Sequence, residues 1–263
     1  MRRGLRAEGL RYTRGVLSVR AVLAPGSSRP PIVLVHGAAN SAGVWRFWQA
    51  DLASRGWSSW ALDLRGHGDS AGADLAKTSM ADYADDVTAL MRELARPAVL
   101  IGWSMGGLAA MVAAARNPTV AYVGLAPSPP VRRRDDSIPL RAATFDASEY
   151  GVTSADPEDQ PTMLDLDLEE RRIALASLGL ESRLARDDRK AGIVLTALPC
   201  PALVVASTGD ATFPPRAYAD LSVPAEHVVV ESVSHWGLVL NRRLLATLVP
   251  RVTAWLERVS SAA

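Results

Sequence analysis

Short apolar, β-branched runs alternate along the chain with amphipathic stretches. That rhythm predicts a mostly parallel β-sheet flanked by helices. Val16 to Leu23 alternates as a strand does, and Pro31 to Val35 is continuously apolar, as a strand covered on both faces should be. Trp60 to Leu64, Ala98 to Ile101, Ala121 to Leu125, Ala202 to Ala206 and Val228 to Val230 read the same way. Helical patterns lie between them. Ser79 is placed to cap a helix with Asp82 three residues on, and Tyr83, Val87, Leu90, Met91 and Leu94 then recur on one face. A last helix carries Leu244, Leu245, Leu248, Val252, Trp255, Leu256 and Val259, with Pro250 expected to kink it or to mark its start.

One stretch breaks the rhythm. From about Pro127 to Leu198 no strand-like run occurs, and acidic and basic residues crowd together. This predicts an inserted, mainly helical cap over 127–198, dividing a core made of 1–126 and 199–263. The cap opens on three prolines and the run Arg132-Arg133-Arg134, followed by Asp135-Asp136.

Composition adds limits. In 263 residues, 48% are hydrophobic, enough for a sizeable core, and the net charge is only +1. That balance gives no reason to expect nucleic-acid binding, which needs a clustered excess of cations. Met1 to Glu8 is basic but has no apolar stretch behind it, and no apolar run reaches the roughly 20 residues that span a bilayer. The single cysteine, Cys200, has no internal partner and sits among apolar residues, an inert thiol in expectation. The chain reads as cytoplasmic, without membrane insertion, as a monomer or homodimer.

The chemistry gathers at a few turns. Gly102-Trp103-Ser104-Met105-Gly106-Gly107 follows one apolar run and precedes Leu108 to Ala115, a strong helix former. A serine on a sharp strand-to-helix turn projects its hydroxyl, and glycine is needed two positions either side for want of space. The helix beyond aims its first amides at negative charge beside Ser104. This segment resembles the nucleophile elbow of the α/β-hydrolase superfamily. The resemblance implies an α/β-hydrolase fold: a mostly parallel eight-stranded sheet flanked by helices, with an inserted helical cap. It also implies that the loop His36-Gly37-Ala38 forms an oxyanion hole, with the backbone amides of Ala38 and Met105 as donors. His36 then has a structural role inside its turn. Asp63-Leu64-Arg65-Gly66-His67-Gly68-Asp69-Ser70 matches another segment of the superfamily and reads as a structural loop whose Arg65, His67 and Asp69 bond to each other and to nearby backbone.

The order expected on this fold is serine, acid, histidine. Downstream of Ser104 only His227 and His235 are available. His227 opens an apolar run and belongs to a strand edge, whereas His235 lies just past that run, where the superfamily places its base. The acid should follow the preceding run, and Asp210 is the carboxylate there; the earlier site, Leu125-Ala126-Pro127-Ser128, holds none. The predicted triad is Ser104, His235 and Asp210.

A serine nucleophile attacks carbonyl carbon, and the chain has no metal-ligand spacing and no glycine-rich nucleotide loop. No metal and no cofactor are expected. The partner is a small-molecule ester. Trp45, Trp103 and Trp236 flank the oxyanion loop, the nucleophile and the base, and they either shape an apolar substrate pocket or pack in the core. Gly-Trp-Ser and Val44-Trp45 also resemble carboxylesterases that cleave pimeloyl conjugates, in which basic cap residues dock an acidic carrier. Arg132, Arg133, Arg134 and Arg141 suit such a patch, or else a solvated segment paired with Asp135 and Asp136. The expected activity is hydrolysis of small to medium, largely apolar esters or lactones. The alternatives are a C–C bond hydrolase of ring-cleavage products, suggested by His235-Trp236, and a slow-turnover small-molecule receptor retaining the triad.

Overall fold

A computed structural model describes residues 10–14, 17–70 and 72–261, so Met1 to Glu8 lie outside the described residues. Its centre is an eight-stranded sheet of β1 (Leu10–Arg14), β2 (Leu17–Val22), β3 (Ile32–Val35), β4 (Ser59–Leu62), β5 (Ala98–Trp103), β6 (Thr119–Leu125), β9 (Ala202–Ser207) and β10 (Glu226–Val230). Their spatial order is β1-β2-β4-β3-β5-β6-β9-β10. The two pairings that involve β2 are antiparallel, and every other pairing is parallel.

The continuous apolar runs are explained by what lies above and below them. Ile32 and Leu34 of β3 face one core, with Trp48 and Leu52 of α1 (Arg46–Ser54) and Leu248 and Val252 of α7 (Arg242–Ser260). Val33 and Val35 face the other, with Tyr83 and Val87 of α2 (Met80–Leu94) and Leu108 and Met111 of α3 (Ser104–Arg116). Successive side chains of a strand point to opposite faces, so a strand buried twice must be apolar at every position.

Caps set the helix ends. Ser79 and Asp82 form the reciprocal capping box expected of them. Asn241 caps α7 through the amides of Arg243 and Leu244, and the helix runs unbroken through Pro250, so that proline does not mark its start. Among the described residues no helix is long and apolar enough to cross a membrane.

Between β6 and β9 the chain carries α4 (Leu168–Ala176), α5 (Arg183–Ala191) and a short ribbon of β7 (Thr144–Phe145) with β8 (Glu181–Ser182). Apart from one 3₁₀ turn at Ala147–Tyr150 the remainder is turns and loops, so this stretch is less helical than its charge-rich pattern suggests. Its two ends lie together: Val131 donates to the Ile193 carbonyl at 3.0 Å and accepts from Leu195 at 3.2 Å. Arg134 pairs with Asp188 at 2.8 Å and Arg141 with Asp187 at 2.6 Å, both acceptors on α5. The basic segment is therefore spent partly on closing the insertion, with Asp136 a weaker partner at 3.5 Å. The short α6 (Gly237–Leu240) leads from the β10 loop into α7.

Candidate active site

Three loops leave the C-terminal ends of parallel strands and meet over the sheet. From β5 the chain turns at once into α3, and Ser104 takes a φ of 55°. A residue with a β-carbon disfavours that left-handed region, and holding it costs of order 1–3 kcal/mol. The surroundings enforce it. A β-carbon on Gly106 would run into the carbonyl of His36, and one on Gly102 would come within 2.5 Å of the Gly106 carbonyl. Gly37 is equally confined, since a β-carbon there would stand 2.8 Å from the Trp103 ring. Ser104 opens a helix whose first amides have no intrahelical acceptor, and Met105 is the next residue.

From β9 the chain reaches Asp210, which is 1% exposed. From β10 it reaches His235, whose Nδ1 lies 2.6 Å from Asp210 Oδ2. The other carboxylate oxygen accepts from the amides of Thr212 and Phe213 at 2.7 and 3.0 Å. Burial alone would raise the Asp210 pKa. The hydrogen bond and charge of His235 and those two amides outweigh it and hold the carboxyl below its usual value. The acceptor at Nδ1 fixes the histidine tautomer and leaves Nε2 free for another proton.

Two residues unremarked in the sequence bring acid and base loops together. Ser207 Oγ donates to the Val233 carbonyl at 2.6 Å and accepts from the Val233 amide at 3.1 Å. Gly209 lies so close to Val233 that a β-carbon would meet its nitrogen at 2.7 Å. Aromatic rings then hold His235 in place: Trp103 and Phe213 have ring centroids 5.1 and 5.9 Å from it, and Trp103 Nε1 donates to its carbonyl at 3.1 Å.

Ser104 and His235 line one cavity of about 420 Å³, together with Ala38, Trp103, Phe213 and Trp236. Residues of the insertion, among them Tyr150, Leu164, Asp165 and Arg189, form its other wall. Trp45 does not belong there. It is 0% exposed and packs edge-on against Trp48 in the core, ring centroids 6.0 Å apart, so its expected pocket role is corrected. His227 stands in β10, away from the cavity lining.

The neighbouring histidines bond within their loops, as expected of them, and each reaches one group beyond. His36 Nε2 accepts from the Leu64 amide at 3.1 Å, so Nδ1 carries the proton it gives to the Gly37 carbonyl at 2.8 Å. One nitrogen is thus used by its own turn and the other by the loop after β4. The Arg65 side chain turns to α2 and grips Asp86 and Asp82, while its carbonyl bonds within the loop. His67 Nδ1 bonds the Arg65 carbonyl at 3.1 Å, while Nε2 faces Glu181 Oε2 at 3.3 Å. Burial pushes the Cys200 thiol up to about 11, which suits an unreactive side chain.

His36 makes a prediction about acid stability. Burial, and then the charge of His67, lower its pKa to about 4 from 6.5. The folded state therefore binds fewer protons than the unfolded chain between those values, and stability must fall as pH drops through that window. His67 is shifted upward, because the attraction of Glu181 overcomes burial; its contribution is complete below the unfolded value and does not offset the loss. The expected result is a Tm that declines from about pH 6.5 to pH 4, read by scanning fluorimetry. A Tm flat across that window contradicts it.

Comparisons with known proteins agree with this architecture. A family described as "Alpha/beta hydrolase family" matches residues 32–247. Mouse protein phosphatase methylesterase 1 is 40% identical over 105 residues, 38% of this chain and 27% of the relative. The bovine protein of that name is 39% identical over the same length. The chain thus matches only about a quarter of the length of these curated relatives. Among solved structures, a thermophilic esterase from Thermogutta terrifontis superposes with a TM-score of 0.69 at 20% identity, covering 97% of this chain and 100% of that one. A carboxylesterase structure from the thaumarchaeon Nitrososphaera gargenis gives 0.66 at 16%, covering 94% and 97%. At such identities the superpositions speak to the fold.

Proposed function

The chain belongs to the alpha/beta hydrolase family, and from that premise we propose that it is a serine hydrolase of carboxylic esters or lactones of small to medium size. The observation that carries the reading is the alignment of three strand ends: a strained Ser104, and His235 held by buried Asp210, around one cavity. The similarity to protein phosphatase methylesterase 1 over the matched 105 residues supports ester chemistry.

In this reading Ser104 Oγ attacks the ester carbonyl while His235 Nε2 takes its proton. The carbonyl oxygen gains negative charge and is received by the backbone amides of Ala38 and Met105. Amides on a rigid loop and a helix start are fixed before reaction, so they stabilise charge without reorganising. His235 then gives the proton to the departing alkoxide, leaving an acyl group on Ser104. Asp210 stays ionised throughout and stabilises the imidazolium. Water, deprotonated by His235, attacks the acyl carbonyl in turn; the C–O bond to Ser104 breaks, and its oxygen recovers the proton. Trp103, Phe213 and Trp236 exclude bulk water from the base, which strengthens each of these charge interactions.

The test is covalent capture. A fluorophosphonate should add once per chain, on the peptide that contains Ser104, as esterase activity toward p-nitrophenyl butyrate disappears. Modification elsewhere, or full activity after labelling of Ser104, refutes the assignment.

A further inference from the structure

Helix α5 presents three arginines, Arg183, Arg186 and Arg189. The first two share the carboxylate of Glu149. The third lines the cavity beside Ser104 and, among the described residues, pairs with no carboxylate. The two acids of the same helix are already engaged, Asp187 by Arg141 and Asp188 by Arg134. Arg189 instead donates to two hydroxyls, Ser128 Oγ and Tyr150 Oη, each at 3.1 Å. These hold the guanidinium in one orientation but neutralise none of its charge. Of its five N–H groups, two are thereby used and three remain.

The position is tied to the nucleophile. Ser128 is 1% exposed, and its amide donates to the Ser104 carbonyl at 2.9 Å. Arg189 is therefore one residue removed from the elbow by hydrogen bonds, on the wall opposite the sheet. Asp165, the carboxylate that lines the same cavity, does not reach the Arg189 guanidinium, and Asp210 lies behind the lining. Asp210 answers His235. Asp165 accepts from the Ser234 amide and from Asn241 through Oδ2, while its Oδ1 is buried without a hydrogen-bond partner and, among the described residues, it pairs with no cation.

A fixed cation partly withdrawn from water, without a counter-charge, is costly unless a ligand supplies one. We propose that Arg189 is the anion-recognising residue of this site, and that the ester it serves carries a free carboxylate remote from the scissile bond. The inference rests on the ester-hydrolase reading and names its substrate class. A planar guanidinium with several free donors matches a carboxylate in two-point geometry, where a lysine offers only a point charge.

The test pairs substrates that differ only in that charge. Mono-4-nitrophenyl adipate is compared with 4-nitrophenyl hexanoate for the acyl side, and 4-butyryloxybenzoate with phenyl butyrate for the alcohol side. In the wild type, kcat/KM should favour the anionic member of at least one pair. Arg189→Met should lower that ratio by about 10- to 100-fold, and Arg189→Lys by less, as expected for losing a charge-assisted bidentate contact. Fluorophosphonate labelling of Ser104 in each variant reports an assembled site. Adipate binding, measured by calorimetry on wild type and Arg189→Met, gives a readout independent of turnover. Substrate ratios and adipate affinity that Arg189→Met leaves alone overturn the inference while esterase activity persists. Adipate binding that needs Arg189 in a protein hydrolysing none of the four esters upholds the anion site and removes the ester-hydrolase reading instead.

Discussion

Replacing Ser104 with alanine is expected to lower kcat for p-nitrophenyl butyrate by about 10⁵- to 10⁶-fold, the scale seen when a serine nucleophile is removed from a preorganised site. The substitution removes one oxygen atom and keeps the β-carbon, so the elbow's φ of 55° and the contacts of Gly102 and Gly106 are undisturbed. Tm should accordingly stay within about 2 °C of the parent, since no buried partner loses its bond. The residual rate would come from the amides of Ala38 and Met105 and from the cavity itself. A second variant sharpens the result. If Ser104 and His235 act as one unit, adding His235→Ala to Ser104→Ala costs almost nothing further, because a base without a nucleophile has no proton to take. Kinetics on rigorously purified single and double variants check both statements. Hydrolysis at the parent rate by Ser104→Ala, or independent and multiplicative losses in the double variant, would rule out the proposed mechanism.

The parts of the fold legible in the sequence are those where the physical signal is local. A strand buried on both faces has to be apolar at each position, and β3, β5, β6 and β9 were recognisable for that reason. The α/β-hydrolase sheet has eight strands, and the one missed, β1, has two arginines in five residues and no apolar run. Ser104, Asp210 and His235 each follow such a run closely, and the resemblance to the superfamily supplies their order and roles, so proposing them needs no knowledge of packing. Trp45 shows where this reasoning stops. A tryptophan beside a loop carries no information about which side of the backbone it takes, and this one turns inward to Trp48. Arg189, Asp165 and Glu181 lay beyond reach for a related reason. They sit in the irregular stretch between β6 and β9 among many charged residues, and what singles them out is partners such as Ser128, Ser234 and Ala39, which lie 61, 69 and 142 positions away.

Glu181 is the clearest instance, and its replacement by leucine is expected to be the most damaging change outside the candidate triad. The side chain is fully buried at the start of β8 and serves three elements at once. Oε2 accepts from the Ala39 amide at 2.9 Å and faces His67 Nε2 at 3.3 Å, while Oε1 accepts from the Tyr83 hydroxyl at 2.5 Å. Burial works to raise its pKa, yet the charge of His67 and these donors together lower it to about 2. Leucine would leave the His67 ring, the Tyr83 hydroxyl and the amides of Ala39 and Ser182 buried without their acceptor. Breaking a buried pair in this way costs about 3–5 kcal/mol. Ala39 also follows the proposed oxyanion donor Ala38 and is held at a φ of 56°, so loss of its acceptor loosens the loop that fixes that amide. Glu181→Leu should therefore show a Tm lower by about 10 °C or more and a kcat reduced about 10-fold or more with KM little changed, since an oxyanion donor acts chiefly in the transition state. Glu181→Gln, which keeps an acceptor for Ala39 but not the charge for His67, should recover most of the kcat and little of the Tm. Equal recovery of both, or a Tm unmoved by leucine, would show that Glu181 does not couple the insertion to the oxyanion loop. Sign and pH window give a further check. The Glu181 contribution is present above about pH 4.5 and fades as pH falls toward about 2. The Tm difference between wild type and Glu181→Leu should accordingly be widest between about pH 4.5 and pH 6.5, where the His67 contribution is also complete, and shrink in acid.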